Sequence, residues 1–155
     1  MPLFNQSSQV ALEALIVLAK KGKGQEGYLT VSEIAPLIPG GSPAYLSKVL
    51  STLTKAGILR SQRGSFGGVL LAEPPERITL FQVIQAIEGR FVARLFLERP
   101  PTKTSPFLRV IEEMHGALTA QLNRWTLADL VRMDDDPNRD AILEEEWLKD
   151  FETGS

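Results

Sequence analysis

Tyr45, Lys48, Thr52 and Lys55 fall on one arc of a segment read as helical, at about 100° per residue, with no acid among them. Phenol, ammonium and hydroxyl groups in that pattern suit base edges and phosphate oxygens. An ordinary solvated helix face can look the same, so the neighbouring chain decides what the arc means. Next comes Arg63-Gly64-Ser65-Phe66-Gly67-Gly68, between the stretches 58–62 and 69–72, which carry β-branched and aliphatic residues on each side. That is a hairpin signal with a basic, glycine-rich tip. Glycine permits positive φ and close approach to a sugar–phosphate edge, and Arg63 supplies a cation or reads a minor groove. A nucleotide phosphate loop is excluded, because a strand, a G-x-x-x-x-G-K-S/T run and a helix do not occur in that order.

The surrounding elements must hold these groups in place. Thr30 to Glu33 reads as a capping box, hydroxyl to amide one way and carboxylate to amide the other. The helix it opens is short, since Pro36 lacks a donor and Pro39-Gly40-Gly41 forces a turn. Ser42 caps a second helix with Pro43 at its first position and Gly57 at its end, and Leu46, Val49, Leu50 and Leu53 turn to the core. Two short helices, a glycine stop and a hairpin predict a winged helix-turn-helix, whose second helix can enter the major groove. Upstream, Ser7 or Ser8 caps a first helix to about Lys21, with Val10, Ala14, Leu15, Val17 and Leu18 inward. Lys20, Lys21 and Lys23 at its end either meet phosphate or complement the helix dipole. Pro74-Pro75 breaks the second strand, and Thr79 to Gln82 is another capping box, opening a helix that ends at Gly89.

Further on, Ser105 caps and Pro106 starts a long helix. In it Leu108, Ile111, His115, Leu118, Leu122 and Trp125 recur at steps of 3, 4, 3, 4 and 3. That alternation is the seam of a coiled coil, or the buried face of a helix packed on its own domain. His115 within it sets register, responds to pH, or is simply a hydrogen-bonded histidine. Thr126 to Asp129 caps a short helix to about Met133, stopped by Asp134-Asp135-Asp136-Pro137. A last amphipathic segment, 141–151, carries Ile142, Leu143, Trp147, Leu148 and Phe151, expected to dock on a partner subunit or back on the head. The acids at 134–136 and 144–146 read as a solvated face, because calcium needs oxygen ligands at loop spacings not found here.

Tyr45-Leu46, Ala56-Gly57-Ile58-Leu59, Arg63-Gly64 with Gly67-Gly68, Ile78-Thr79-Leu80 and Ala86-Ile87-Glu88-Gly89 together resemble the Rrf-two (BadM/IscR-like) family of bacterial regulators. The resemblance extends through Thr126 to Leu130 and covers roughly residues 3–133. The family includes the iron–sulfur cluster regulator, the nitric-oxide-sensing repressor and the cysteine-metabolism repressor. Membership implies a homodimer that binds double-stranded operator DNA and usually represses transcription, pairing through its long C-terminal helix. It also implies DNA contacts from the recognition helix and wing, here Ser42, Tyr45, Lys48 and Arg63, to which the arc and the hairpin tip add Thr52, Gly64 and Ser65. Cluster-binding members carry three cysteines before the long helix. This chain has none, and Ser105 and Leu108 stand where the last cysteine and a following histidine would be. A hydroxyl does not replace a thiolate on iron, so a cysteine-free branch without an iron–sulfur cluster, or any other cofactor or metal, is expected. In the cluster's place stand Arg90, Arg94 and Arg99 among large apolar residues. These either clamp an anionic effector, accept a partner protein, or rim a packed loop.

Composition agrees. No apolar run approaches the ~20 residues that span a bilayer, and no secretory leader is visible, so a cytoplasmic protein off the membrane is expected. Without cysteine there is no disulfide framework. The net charge of −2 conceals a gradient: residues 1–71 hold seven Lys/Arg and three Asp/Glu, residues 72–155 ten and sixteen. A cationic head on an acidic body favours directional docking on phosphate. One histidine without a plausible nucleophile or metal cluster argues against an enzyme. The expected fold is mainly α with a small β-hairpin wing: a winged helix-turn-helix over 1–89, an effector or sensor-like loop over 90–104, and a dimerisation helix with further helices over 105–155. The expected function is sequence-specific transcriptional regulation by a homodimer under a non-cluster signal. The alternative is a winged-helix interaction module that has lost DNA binding.

Overall fold

Capping boxes led by threonine fix where three of the helices begin. At Thr30, Thr79 and Thr126 the hydroxyl accepts from the amide three residues on, while Glu33, Gln82 or Asp129 returns a bond to the threonine N–H. The structure, a computed structural model, describes residues 4–22, 27–65, 67–89 and 105–138. Its elements are α1 (Gln6–Lys21), α2 (Val31–Ile34), a 3-10 turn (Ala35–Leu37), α3 (Pro43–Lys55), β1 (Leu59–Gln62), β2 (Gly68–Leu71), a second 3-10 turn (Pro75–Arg77), α4 (Leu80–Glu88), α5 (Phe107–Arg124) and α6 (Leu127–Asp134). Arg90, Arg94, Arg99 and the segment 141–151 lie outside the described residues.

Two helix starts differ from the sequence reading. Asn5, not Ser7 or Ser8, caps α1: its side chain accepts from the Ser8 N–H at 3.0 Å, and the two serines are already inside the first turn. Ser105 does not cap α5 either. Pro106 takes that place, no side chain caps the end, and the Ser105 carbonyl accepts from the Leu108 N–H. The hairpin pairs Leu59 with Leu71 and Gln62 with Gly68, antiparallel. It gains a partner that the pattern did not reveal, because Leu29 and Val69 exchange two backbone bonds of 2.9 and 2.8 Å.

One main core holds the head together. Leu15, Ile34, Leu46 and Leu53 are fully buried at the crossing of α1, α2 and α3, and Leu59 brings in the wing. Each such side chain contributes about 1.5–3 kcal/mol by leaving water. On α1, Ala11 and Ala19 are buried while Val17 is only half-buried. Leu127 of α6 belongs to this same core, so residues after 105 complete the head as well as extend from it. Leu122 of α5 forms a second, smaller cluster with Ile84 of α4, against which Leu118 packs. Lys20 reaches Asp134 and Asp135 at 2.7 Å each and ties the end of α1 to the end of α6.

The capping carboxylates predict an acid response. The Thr30 amide, then its hydroxyl, holds Glu33 below its ordinary 4.5; the Thr126 amide and hydroxyl, then Arg132, hold Asp129 below 3.8. A depressed carboxyl stabilises the fold above its unfolded value, and that stability is lost as pH falls through the folded value. Partial burial pushes the Glu13 carboxyl up, which opposes the trend by one group. Denaturant midpoints are therefore expected to fall between pH 6 and about pH 3. A double Glu33→Gln, Asp129→Asn variant, which keeps an acceptor for each threonine amide but no longer titrates, should show a shallower fall, and an unchanged slope would remove the boxes as its cause.

Candidate nucleic-acid interface

Burial shows which side of α3 faces outward. Leu46, Val49, Leu50 and Leu53 are buried, so the opposite side of the helix carries Ala44, Ser47, Lys48, Ser51 and Lys55, all exposed. The centre of this outward stripe differs by about 60° from that of the arc drawn by grouping polar types. Lys48 and Lys55 are on both. Ser47, Ser51 and Ala44 are the residues that grouping missed, and the signal for them was direction: they lie opposite the centre of the apolar arc. Small side chains there let the helix backbone approach a groove floor, and serine hydroxyls suit donors and acceptors alike.

Tyr45 and Thr52 sit at the edge of the stripe. Tyr45 is half-buried against the core, and its hydroxyl lies 2.5 Å from the Ser7 hydroxyl. Thr52 is half-buried and donates to the Lys48 carbonyl at 3.1 Å, which leaves its oxygen able only to accept. Ser42 is exposed at the start of α3, where its Oγ accepts from the Tyr45 N–H at 3.2 Å. Before it, Gly40 at φ +69° makes the turn between α2 and α3. At the wing tip Arg63, Gly64 and Ser65 are all exposed, and the Gly67 N–H closes the turn on the Gly64 carbonyl at 3.0 Å.

Electrostatics single out this side. Residues 34–72 hold Lys48, Lys55, Arg60 and Arg63 and no carboxylate. All four are exposed, and none pairs with an acid among the described residues. Lys20, by contrast, is taken by α6. Unpaired cations beside hydroxyls on a projecting helix and hairpin attract phosphate and leave directional groups for bases.

The proposed seam divides in the structure. Leu122 and Leu118 pack on α4, Leu108, Ile111 and Trp125 are half-buried, and His115 is exposed. Phe107, Val110 and Met114 stand exposed at steps of 3 and 4 on the neighbouring side of α5. Among the described residues no helix is long and apolar enough to cross a membrane.

A capped helix pair, a cationic second helix and a glycine-tipped hairpin define a winged helix-turn-helix protein of the DNA-binding class. The profile of the Rrf2 family, described as an iron-dependent transcriptional regulator, matches residues 4–133, and the chain belongs to that family. CymR, a regulator of Bacillus subtilis, is 32% identical over 126 residues, covering 80% of this chain and 86% of that protein. Its solved structure superposes with a TM-score of 0.68 at 28% identity, over 85% of this chain and 98% of that one. A putative regulator of Synechocystis sp., slr0846, is 40% identical over 127 residues, 79% of this chain and 83% of its own length. The IscR structure from T. potens superposes with a TM-score of 0.66 at 25% identity, over 94% of each chain. The chain is thus a helix-turn-helix transcriptional regulator, in a family of regulators rather than enzymes. The family description names iron, and the donors for a cluster do not fit: the chain has no cysteine and one histidine, the exposed His115. Among the described residues no group of three His, Cys, Asp or Glu could hold a metal ion. Thiolate ligation of iron has no donors here.

Proposed function

We propose that this protein is a homodimeric repressor that binds a two-fold operator and answers a signal other than an iron–sulfur cluster. The observation that carries the proposal is the carboxylate-free stretch 34–72, whose exposed residues form a stripe on α3 and a cationic wing tip. In this reading Ser47, Lys48 and Ser51 face base edges, Ser42 and the start of α3 meet phosphate, and Arg63 with Gly64 and Ser65 enters the adjoining groove. Phe107, Val110 and Met114, beside Leu108 and Ile111, provide the face by which two copies pair. An effector or partner protein acting at the arginines 90, 94 and 99 completes the scheme; loss of effector response in Arg94→Ala and Arg99→Ala is its expected mark.

Lys48→Ala tests the interface directly. If Lys48 reads a base, discrimination between a selected duplex and a scrambled one falls by ~1–3 kcal/mol. If it meets phosphate, both duplexes weaken alike and the slope of log affinity against log salt falls by about one. Equal binding by variant and parent on both duplexes removes Lys48 from the site. Absence of a salt-dependent shift by the parent protein would favour an interaction module instead.

A further inference from the structure

We infer that Tyr45 and Glu88 are positioning residues for DNA recognition: Glu88 fixes the first turn of α1, Ser7 in that turn holds Tyr45, and Tyr45 sets the rotation of α3. The inference rests on the DNA-binding reading above. Its contacts join three elements far apart in sequence. Glu88 ends α4 and accepts three bonds from the start of α1. One carboxylate oxygen takes the Asn5 backbone N–H at 3.0 Å and the Ser8 hydroxyl at 2.6 Å; the other takes the Asn5 side-chain amide at 2.9 Å. Asn5 is itself the cap of α1, and Ser8 is fully buried, so the cluster is built into the fold. A carboxylate at that end also meets the positive pole of the helix.

Ser7 lies between Asn5 and Ser8 in the same turn and shares the 2.5 Å bond with the Tyr45 hydroxyl. Tyr45 is in the first turn of α3, three residues ahead of Lys48 and two ahead of Ser47. Leucines at the helix interface resist separation but tolerate small rotations, because apolar burial is non-directional. A hydrogen bond is directional and resists rotation. Recognition of bases needs side chains held to within roughly 0.5 Å and 10–20°, whereas a flexible cation follows a phosphate across a wider range. Loosening Tyr45 therefore costs the selected sequence more than the scrambled one.

The test uses a duplex that the full-length protein recovers from a random pool, beside a scrambled duplex of equal length. Discrimination by the parent protein establishes DNA binding independently of the Ser7–Tyr45 and Glu88 contacts. Ser7→Ala, Tyr45→Phe and Glu88→Gln each remove one link with little change of volume. Each is expected to lower the ratio of selected to scrambled affinity by about three- to tenfold, the effect of one hydrogen bond. The Ser7→Ala, Tyr45→Phe double variant is expected to match the single ones, since both cut the same bond. Ser7→Thr keeps the hydroxyl and is expected to keep the parent ratio. An unchanged ratio in all three single variants overturns the inference, as do additive losses in the double. A loss confined to Tyr45→Phe also overturns it, because the hydroxyl would then be touching DNA itself.

Discussion

Replacing Phe107 and Met114 together by aspartate is expected to leave a folded monomer whose affinity for a two-fold duplex is about 10²–10³ times weaker. The two side chains are 56% and 48% exposed, with Val110 at 48% between them. Leu118 and Leu122 further along α5 are already engaged with α4, so the start of the helix is the part left without apolar cover among the described residues. Burying a Phe or Met side chain contributes roughly 1.5–3 kcal/mol, and a two-fold axis counts every contact twice. About half of each side chain is already covered, so three residues per subunit supply roughly 5–9 kcal/mol, enough to offset the lower part of the 4–15 kcal/mol that association costs. Aspartates placed near the axis remove that term and add like-charge repulsion. The DNA loss arises because two linked heads bind the second half-site at high effective concentration, which a monomer cannot. Sedimentation equilibrium and duplex titration on the same samples read both outcomes. A variant that remains dimeric places the pairing surface elsewhere and ends this assignment of α5.

How far the sequence reveals this protein depends on the range of each interaction. The capping boxes at Thr30, Thr79 and Thr126 are legible because both partners lie within four residues. The start of α1 is not, because what makes Asn5 the cap is partly Glu88, 83 residues away. Leu29 bridging Val69 is equally hidden: one residue pairing at long range has no periodicity to reveal it. The recognition helix shows the subtler case. Its buried leucines are plain in the sequence, yet Tyr45 is amphipathic, and counting it as polar turns the expected face towards Thr52 and away from Ser47 and Ser51. The long helix shows the limit of spacing. Leu108 to Trp125 keep a coiled-coil rhythm, but Leu118 and Leu122 use it to pack on α4, and periodicity does not say which neighbour a face will meet.

The wing offers the sharpest contrast between two glycines of similar backbone. Gly64 has φ +106° and Gly68 φ +139°, a region that side chains rarely enter. An added methyl at Gly64 meets nothing within 4 Å, so Gly64→Ala is expected to cost about 1 kcal/mol of backbone strain and no more. The same methyl at Gly68 would overlap the Leu29 carbonyl, which is backbone and cannot turn aside. That carbonyl accepts from the Val69 N–H at 2.8 Å, and the Leu29 N–H donates back at 2.9 Å. Gly68→Ala is therefore expected to break this pair and cost roughly 2–3 kcal/mol of stability, seen as a lower denaturant midpoint. At a temperature where both variants stay folded, it is also expected to weaken duplex binding by about tenfold or more, since β2 then no longer holds the Arg63 tip against the groove beside α3. Equal midpoints for the two variants would mean that Leu29 yields at little cost and that the wing is not anchored by this pair. A Gly68→Ala protein that is destabilised yet binds duplex like the parent would separate the two roles, leaving the pair to the fold alone and the wing tip outside the interface.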